Sequence, residues 1–274
     1  MAEAVLYETH THTTLCKHAT GTIEEYAERA VARGMKGLTV TCHNPLPDEK
    51  SLSVRMREDE FDVYLGMVEQ VQRGFEGRLD VLLGMEFDYA PEFEGYLGEQ
   101  VKAAGFDYCL GSIHPQTDYY CEWYHKGDAF EDQKTYFDMI AKVAECGMFD
   151  CVSHPDLIKI FTREDWDLER VWPWIEEMLD RVEATGVAME LNTSGEIKVY
   201  PEFNPSERIL GEMQRREIPV VIGSDAHAAV RVGDRWEKAL RTLAGVGYTE
   251  INYYKQRERV SVGIDEGLKS LVEC

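Results

Sequence analysis

Seven times between residues 4 and 245, a short run of apolar and β-branched residues is followed by a longer amphipathic one, with no linker or low-complexity tract between units. A strand, a crossover helix and a second strand form a right-handed unit, and its repetition builds a parallel sheet buried by helices. The first run, AVLYET, leads into TIEEYAERAVARG, where Ile23, Tyr26, Ala27, Ala30 and Val31 recur at helical spacing. Thr20 or Thr22 is placed to cap that helix, Glu24 and Glu25 suit its first turn, and Gly34 ends it. The next strand is KGLTVTCH. LDVLLGMEFD, FDYCLGSIH, FDCVSH, GVAMELN and IPVVIGSDAH follow, with helices expected around 58–75, 91–104, 130–146, 167–185 and 205–216, and a further one around 234–245. The longest loops fall near 44–56 and 114–128. Seven units either close into a barrel or form an open doubly wound sheet. No glycine-rich phosphate fingerprint follows the first strand, which favours the barrel.

Composition limits the partners. The net charge of −22 repels phosphate backbones, so no nucleic-acid partner is expected. No apolar run is long enough to span a bilayer, and MAEAVLYETH has no signal-peptide core, so no membrane partner is expected and the cytoplasm is the expected location. The seven cysteines contain no CxxC pair and suit a reducing compartment. Cys16 and Cys42 lie near histidines and could ligate metal, although a free cysteine is more often a small core residue.

The chemistry-bearing residues gather at one place in each unit. His10 and His12 end the first strand, His43 the second, Glu86 the third, His114 the fourth and His154 the fifth, while Asp225 and His227 end the seventh. With His18, seven of the eight histidines fall at these ends, and His125 alone is left out. In a barrel all these ends share one face, where active sites of such folds form. Any one of them alone reads as a hydrogen-bonded loop residue, and Glu86 or Asp225 alone as a helix cap. Their coincidence argues for a cluster, because histidines scattered for structural reasons would not avoid the helices and the opposite face. Side chains two apart on a strand point the same way, so His10 and His12 can grip one cation. Mixed imidazole and carboxylate donors suit zinc, manganese or iron. Nine candidate ligands exceed what one ion takes, so two or three divalent transition metals are expected, with a carboxylate bridging at least one pair.

The segments HTHTTLCKH, TCHNP, GMEFD, GSIHP, VSHPDLIK and GSDAH, in this order between residue 8 and about 233, resemble the polymerase-and-histidinol-phosphatase (PHP) superfamily. Within it, HATGTIEEYAERAVARGMKGLTVTCHNPLP and HPDLIK most resemble the histidinol-phosphate phosphatases. The resemblance implies an α/β fold, a distorted (β/α)7 barrel, with residues 1–274 as a single domain carrying a trinuclear centre at the C-terminal ends of the strands. It places His10, His12, Glu86 and Asp225 on one ion, Glu86, His114 and His154 on a second, and His18, His43 and His227 on a third. It implies a metal-dependent phosphomonoesterase, acting on L-histidinol phosphate in histidine biosynthesis. Two metals about 3.5–4 Å apart can hold a bridging hydroxide for in-line attack on phosphorus, with the pKa of bound water near 7. Asp225 and His227 are candidate helpers in proton transfer.

Phosphate contacts are expected from Lys159 and Arg163, on a loop over the same face, with a solvated loop charge as the alternative for each. The family's Asn-Thr-Ser-Gly-Leu-Arg after the sixth strand reads NTSGEIK here, and Glu196 and Ile197 stand where Leu-Arg is expected. Lys198 or Arg231 is the candidate replacement for that arginine. Cys42 stands where an aspartate often precedes the second strand's histidine, which is expected to loosen the groups supporting His43. Tyr119, Tyr120, Trp123 and Tyr124 either wall the substrate pocket or pack their loop onto the rim, the latter being favoured. The expected partner is a small phosphorylated substrate, and the oligomeric state stays open. The alternatives are a relative acting on another small phosphoester or nucleotide, a nuclease, and a non-catalytic metal-binding protein. Acidity argues against the nuclease, and the full ligand set against the non-catalytic protein.

Overall fold

The structure, a computed structural model, describes residues 3–272. Every expected strand-then-helix unit is present. Strands β1 (Tyr7–Glu8), β2 (Gly37–Val40), β3 (Asp80–Asp88), β4 (Tyr108–Ser112), β5 (Cys151–Val152), β6 (Ala188–Asn192) and β7 (Val220–Gly223) lie side by side in chain order, each parallel to its neighbour. Two strands were not expected: β8 (Glu250–Lys255) runs parallel to β7, and β9 (Glu258–Gly263) returns antiparallel to β8 as the last of nine strands. Their turn needs positive φ at Gln256 and Arg257, whose side-chain types give no turn signal, so the hairpin is hard to read from sequence.

The helices are α1 (Ile23–Ala32), α2 (Phe61–Gly74), α3 (Glu94–Ala103), α4 (Asp118–Trp123), α5 (Ala129–Glu145), α6 (Ile158–Phe161), α7 (Leu168–Glu183), α8 (Glu207–Arg215), α9 (Trp236–Val246) and α10 (Ile264–Ser270). Thr22 caps α1 in a capping box: its hydroxyl accepts from Glu25 N, and Glu25 Oε2 accepts from Thr22 N at 2.8 Å. Ile23, Tyr26, Ala27 and Ala30 bury the face predicted for this helix. The expected loop 114–128 contains α4, and its aromatics pack the rim: Tyr119 and Tyr120 are buried, with Phe93 and Trp123 rings 5.2 and 5.5 Å from Tyr119.

Beyond β1 the chain is wedged between its neighbours' extensions. Thr41 N donates to Thr11 O at 2.8 Å, while Ala226 N donates to His10 O and His12 N to Ala226 O, both at 3.0 Å. The segments after β1, β2 and β7 therefore lie together, as do the side chains they carry. Buried Glu8 reinforces this by accepting from His10 N, Ser224 N, Gly233 N and Trp236 Nε1, so one carboxylate ties β1 to the segments after β7.

Candidate metal centre

Glu86, at the C-terminal end of β3, is the hub. Its Oε2 lies 3.4 Å from His10 Nε2, 3.6 Å from His12 Nε2 and 2.9 Å from His43 Nδ1; its Oε1 lies 3.4 Å from His114 Nε2 and 3.1 Å from His154 Nε2. Asp225 Oδ1 is 3.1 Å from His12 Nε2 and 3.8 Å from His10 Nε2. Ligands held about 2.0–2.2 Å from one tetrahedral ion sit roughly 3.3–3.6 Å apart, and the separations here, from 2.9 to 3.8 Å, bracket that spacing. His10, His12 and Glu86 offer ligand atoms within 4.8 Å of one another, as do His43, Glu86 and His114, and His12, His43 and His227.

The unpartnered atoms point the same way. His10 Nε2, both His12 ring nitrogens, His43 Nδ1, Glu86 Oε2 and His227 Nε2 are buried without a hydrogen-bond partner. Such groups are costly to bury unless something satisfies them, and a cation would satisfy these lone pairs together. His154 and Asp225 also adopt positive φ, 22° and 50°, a backbone strain that non-glycine residues carry mainly at functional sites. The donor set fits divalent transition ions.

Charge is arranged to match. Burial opposes ionisation of Glu86 and Asp225, yet the surrounding histidines hold both carboxyls well below the usual carboxylate range. Burial also disfavours the charged form of His12, but Asp225, Cys42 and Glu86 carry it up to about 9. His10 is likewise raised against its burial by Glu190, Glu86 and Asp225. Burial and neighbouring His12 push His43 down to about 4 and His227 to about 2, leaving neutral imidazoles. Without metal the site thus sets ionised Glu86 and Asp225 and neutral His43 and His227 beside protonated His10 and His12, so cation binding would displace the protons those two rings carry.

The outer ring nitrogens show what sequence reading missed. His10 Nδ1 lies 2.7 Å from Glu190 Oε1, and His114 Nδ1 lies 2.6 Å from Asp88 Oδ1. A carboxylate behind a ligand histidine fixes its tautomer and raises its basicity. Glu190 and Asp88 sit on β6 and β3, two residues from Asn192 and Glu86, so period-two alternation on a strand could have flagged them. Arg55, which pairs with Asp88, carries no such signal.

His18 and His227 have ring centroids 4.4 Å apart, with His43 5.6 Å from His18 and 6.2 Å from His227, so the third expected group is more loosely disposed. His125 is exposed and lies 2.7 Å from Asp132, apart from the cluster, as its position suggested. Cys42 Sγ accepts from Thr13 Oγ1 at 3.2 Å and falls with Cys16 Sγ and a His12 nitrogen within 4.8 Å.

A cavity of about 140 Å³ opens over the centre. His18, His43, His114, His154, Asp225 and His227 line one side; Val54, Leu157, Ile160 and Phe161 form an apolar wall; and Arg55, Gln116, Thr117 and Lys198 supply the polar remainder. Of the four expected phosphate contacts, Lys198 alone lines this cavity. Lys159 is corrected: it lies in α6 rather than an open loop, fully buried, and its ammonium donates to Asp156 Oδ2, Glu202 Oε2 and Phe203 O. All three of its hydrogens are used, so it holds the chain after β6 in place. Arg163 is half-exposed beside Glu164 and Arg231 pairs with Asp234, both outside the cavity lining.

A PHP domain family model matches residues 8–194. Over 255 residues the chain is 33% identical to a protein named probable histidinol-phosphatase from Deinococcus radiodurans, covering 90% of this chain and 96% of that one. It is 28% identical to the histidinol-phosphatase of Bacillus subtilis, covering 84% and 97%. The fold matches histidinol phosphate phosphatase from Lactococcus lactis, crystallised with zinc, L-histidinol and phosphate, at a TM-score of 0.76 and 16% identity over 93% of this chain and 98% of that one. The histidine-rich strand ends, the parallel sheet that gathers them and these matches agree, and the chain belongs to the PHP domain family.

Proposed function

We propose that the chain is a metal-dependent phosphomonoesterase that hydrolyses L-histidinol phosphate to L-histidinol and phosphate. The observation that carries this reading is the convergence of buried, unpartnered histidine and carboxylate atoms on Glu86 beneath an open cavity. His10, His12, Glu86 and Asp225 would hold one divalent ion, Glu86, His114 and His154 a second, and His18, His43 and His227 a third. When bound, such ions supply Lewis acidity and make water nucleophilic at neutral pH. Glu190 and Asp88 orient His10 and His114 through their outer nitrogens. Lys198, at the cavity mouth, contributes the cation that the segment after Gly195 otherwise lacks, and Asp225 and His227 are placed to accept or return a proton. Val54, Leu157, Ile160 and Phe161 give the cavity an apolar wall against which the leaving group would pack. The names of the relatives support the substrate.

The sheet, with the Thr11–Ala226 bridge joining the extensions of β1 and β7, fits the distorted (β/α)7 barrel. The free thiols of Cys16, Cys42, Cys109, Cys121, Cys146 and Cys151 suit the cytoplasm. No helix among the described residues is long and apolar enough to cross a membrane.

The test is phosphate release from L-histidinol phosphate by protein loaded with zinc or manganese, beside a panel of other phosphomonoesters. Preference for histidinol phosphate is expected. Turnover of other esters alone would favour the second reading, a PHP phosphoesterase on a different small phosphoester, which the absence of an arginine after Gly195 keeps in view. In the first case Lys198→Ala raises KM about tenfold with a smaller change in kcat, the pattern of lost substrate binding.

A further inference from the structure

We propose that Arg55 is a positioning residue for the metal centre, acting through Asp88 on His114. This rests on the divalent-metal reading of the site but not on the identity of the substrate. Arg55 is 1% exposed and Asp88 fully buried. Arg55 Nη2 donates to Asp88 Oδ2, while Asp88 Oδ1 lies 2.6 Å from His114 Nδ1. Asn44 completes the frame: its backbone oxygen accepts from Arg55 Nη1 at 3.1 Å and its Oδ1 accepts from Asp88 N at 2.9 Å. Each Asp88 oxygen thus has one partner, a cation on one side and a ligand imidazole on the other, and the carboxylate plane has no freedom to turn.

A simple anchoring role for the loop of residues 44–57 does not require this arrangement. A buried ion pair is weak evidence for stability, since apolar residues of similar volume often hold a loop as well. The comparison with Glu190 is informative. Glu190 backs His10 in the same way, yet its Oε2 accepts only from neutral donors, His154 N and Asn192 Nδ2, both at 3.0 Å. Two ligand histidines are therefore supported by two carboxylates, one framed by neutral groups and one by a buried guanidinium that also lines the cavity. Arg55 fixes the orientation of Asp88, which fixes the tautomer and aim of His114.

The experiment is a double-mutant cycle on zinc binding, read by calorimetric titration and by metal content per chain after dialysis, using the full-length protein. Arg55→Gln is expected to weaken binding of one equivalent of zinc by about 10–100-fold, as loss of a partner behind a ligand does. Asp88→Asn should weaken the same equivalent, and the double variant should be no worse than Asp88→Asn alone, because the two act in series. Arg55→Gln and Glu190→Gln, acting on different ligands, should instead add. If Arg55→Gln does not fold, Arg55→Lys, which keeps the charge but not the planar fork, takes its place in the same cycle. Unchanged zinc affinity in a thermally weakened variant, or additive effects with Asp88→Asn, would overturn the proposal and leave Arg55 a loop anchor. Failure of the unsubstituted chain to bind zinc would refute the metal reading itself.

Discussion

The two halves of the centre are supported differently. In the deep half, His10 and His114 are backed by the carboxylates of Glu190 and Asp88, and both rings are buried. In the rim half, His18 Nδ1 and His227 Nδ1 are backed by backbone carbonyls, Cys16 O at 2.7 Å and Asp225 O at 3.0 Å, and His18 is exposed. Glu86 lies within 4 Å of ring nitrogens of His10, His12, His43, His114 and His154, but of neither His18 nor His227. A ligand backed by a carboxylate is more basic and more rigid than one backed by a neutral carbonyl. The deep half should therefore retain its ions, and the rim half should exchange its ion readily.

Substitution of the hub should have the largest effect. Glu86→Ala removes the one carboxylate shared across the deep half and is expected to lower phosphate release about a thousandfold, roughly 4 kcal/mol in the barrier, with loss of tightly held metal. Metal analysis after dialysis checks this; retention of the full metal complement would break the contrast between the halves. Next is a backbone substitution. A Cβ at Gly223 would lie 2.1 Å from Glu190 Oε1 and 2.6 Å from His10 Cβ. Gly223→Ala should push Glu190 off His10 and weaken zinc binding about 10–100-fold, like Glu190→Gln itself. Unaltered binding would mean that Glu190 does not support the deep half.

An effect of similar size concerns acid stability of the metal-free protein. Burial opposes ionisation of Asp88, but His114 and Arg55 bring its pKa down to about 2, below the ordinary aspartate value of about 3.9. The unfolded chain therefore takes up the proton first as pH falls. Asp88 contributes stability that is full above about pH 4 and lost as pH falls through about 2, on the order of 2 kcal/mol. Urea midpoints recorded between pH 5 and 2.5 should fall less steeply in Asp88→Asn than in the unsubstituted chain; parallel curves would sink this assignment. The smallest effect is expected at the rim. His18→Ala should cost about tenfold in activity, roughly 1.4 kcal/mol, and release one equivalent of metal on dialysis while the deep half stays loaded. Loss of all metal would show that the halves are not separable.

The sequence and the structure agree best where the signal is local. His10 and His12 are two apart beside a strand, and their shared direction follows from the period of a strand. Thr22 and Glu25 cap α1 as their spacing requires. The hairpin of β8 and β9 was missed because its turn rests on two non-glycine residues at positive φ. Lys159 was misplaced for a different reason. Asp156, three residues before it within HPDLIK, is its one local partner; Glu202 and Phe203 lie more than forty residues along the chain, beyond β6, so HPDLIK alone does not signal that its charge is fully satisfied.

Sequence alone thus determined the strand-and-helix alternation and the nine candidate ligands, because periodicity and scarce histidines are visible in one dimension. Only the tertiary structure decided which groups stand behind those ligands. Glu8, Asp88 and Glu190 are three of 51 acidic residues, and Arg55 is one of 29 basic ones. Such common residues acquire a role only when packing removes water and fixes which partners lie within hydrogen-bond reach. The same packing left Lys198 exposed in the cavity lining and buried Lys159 completely.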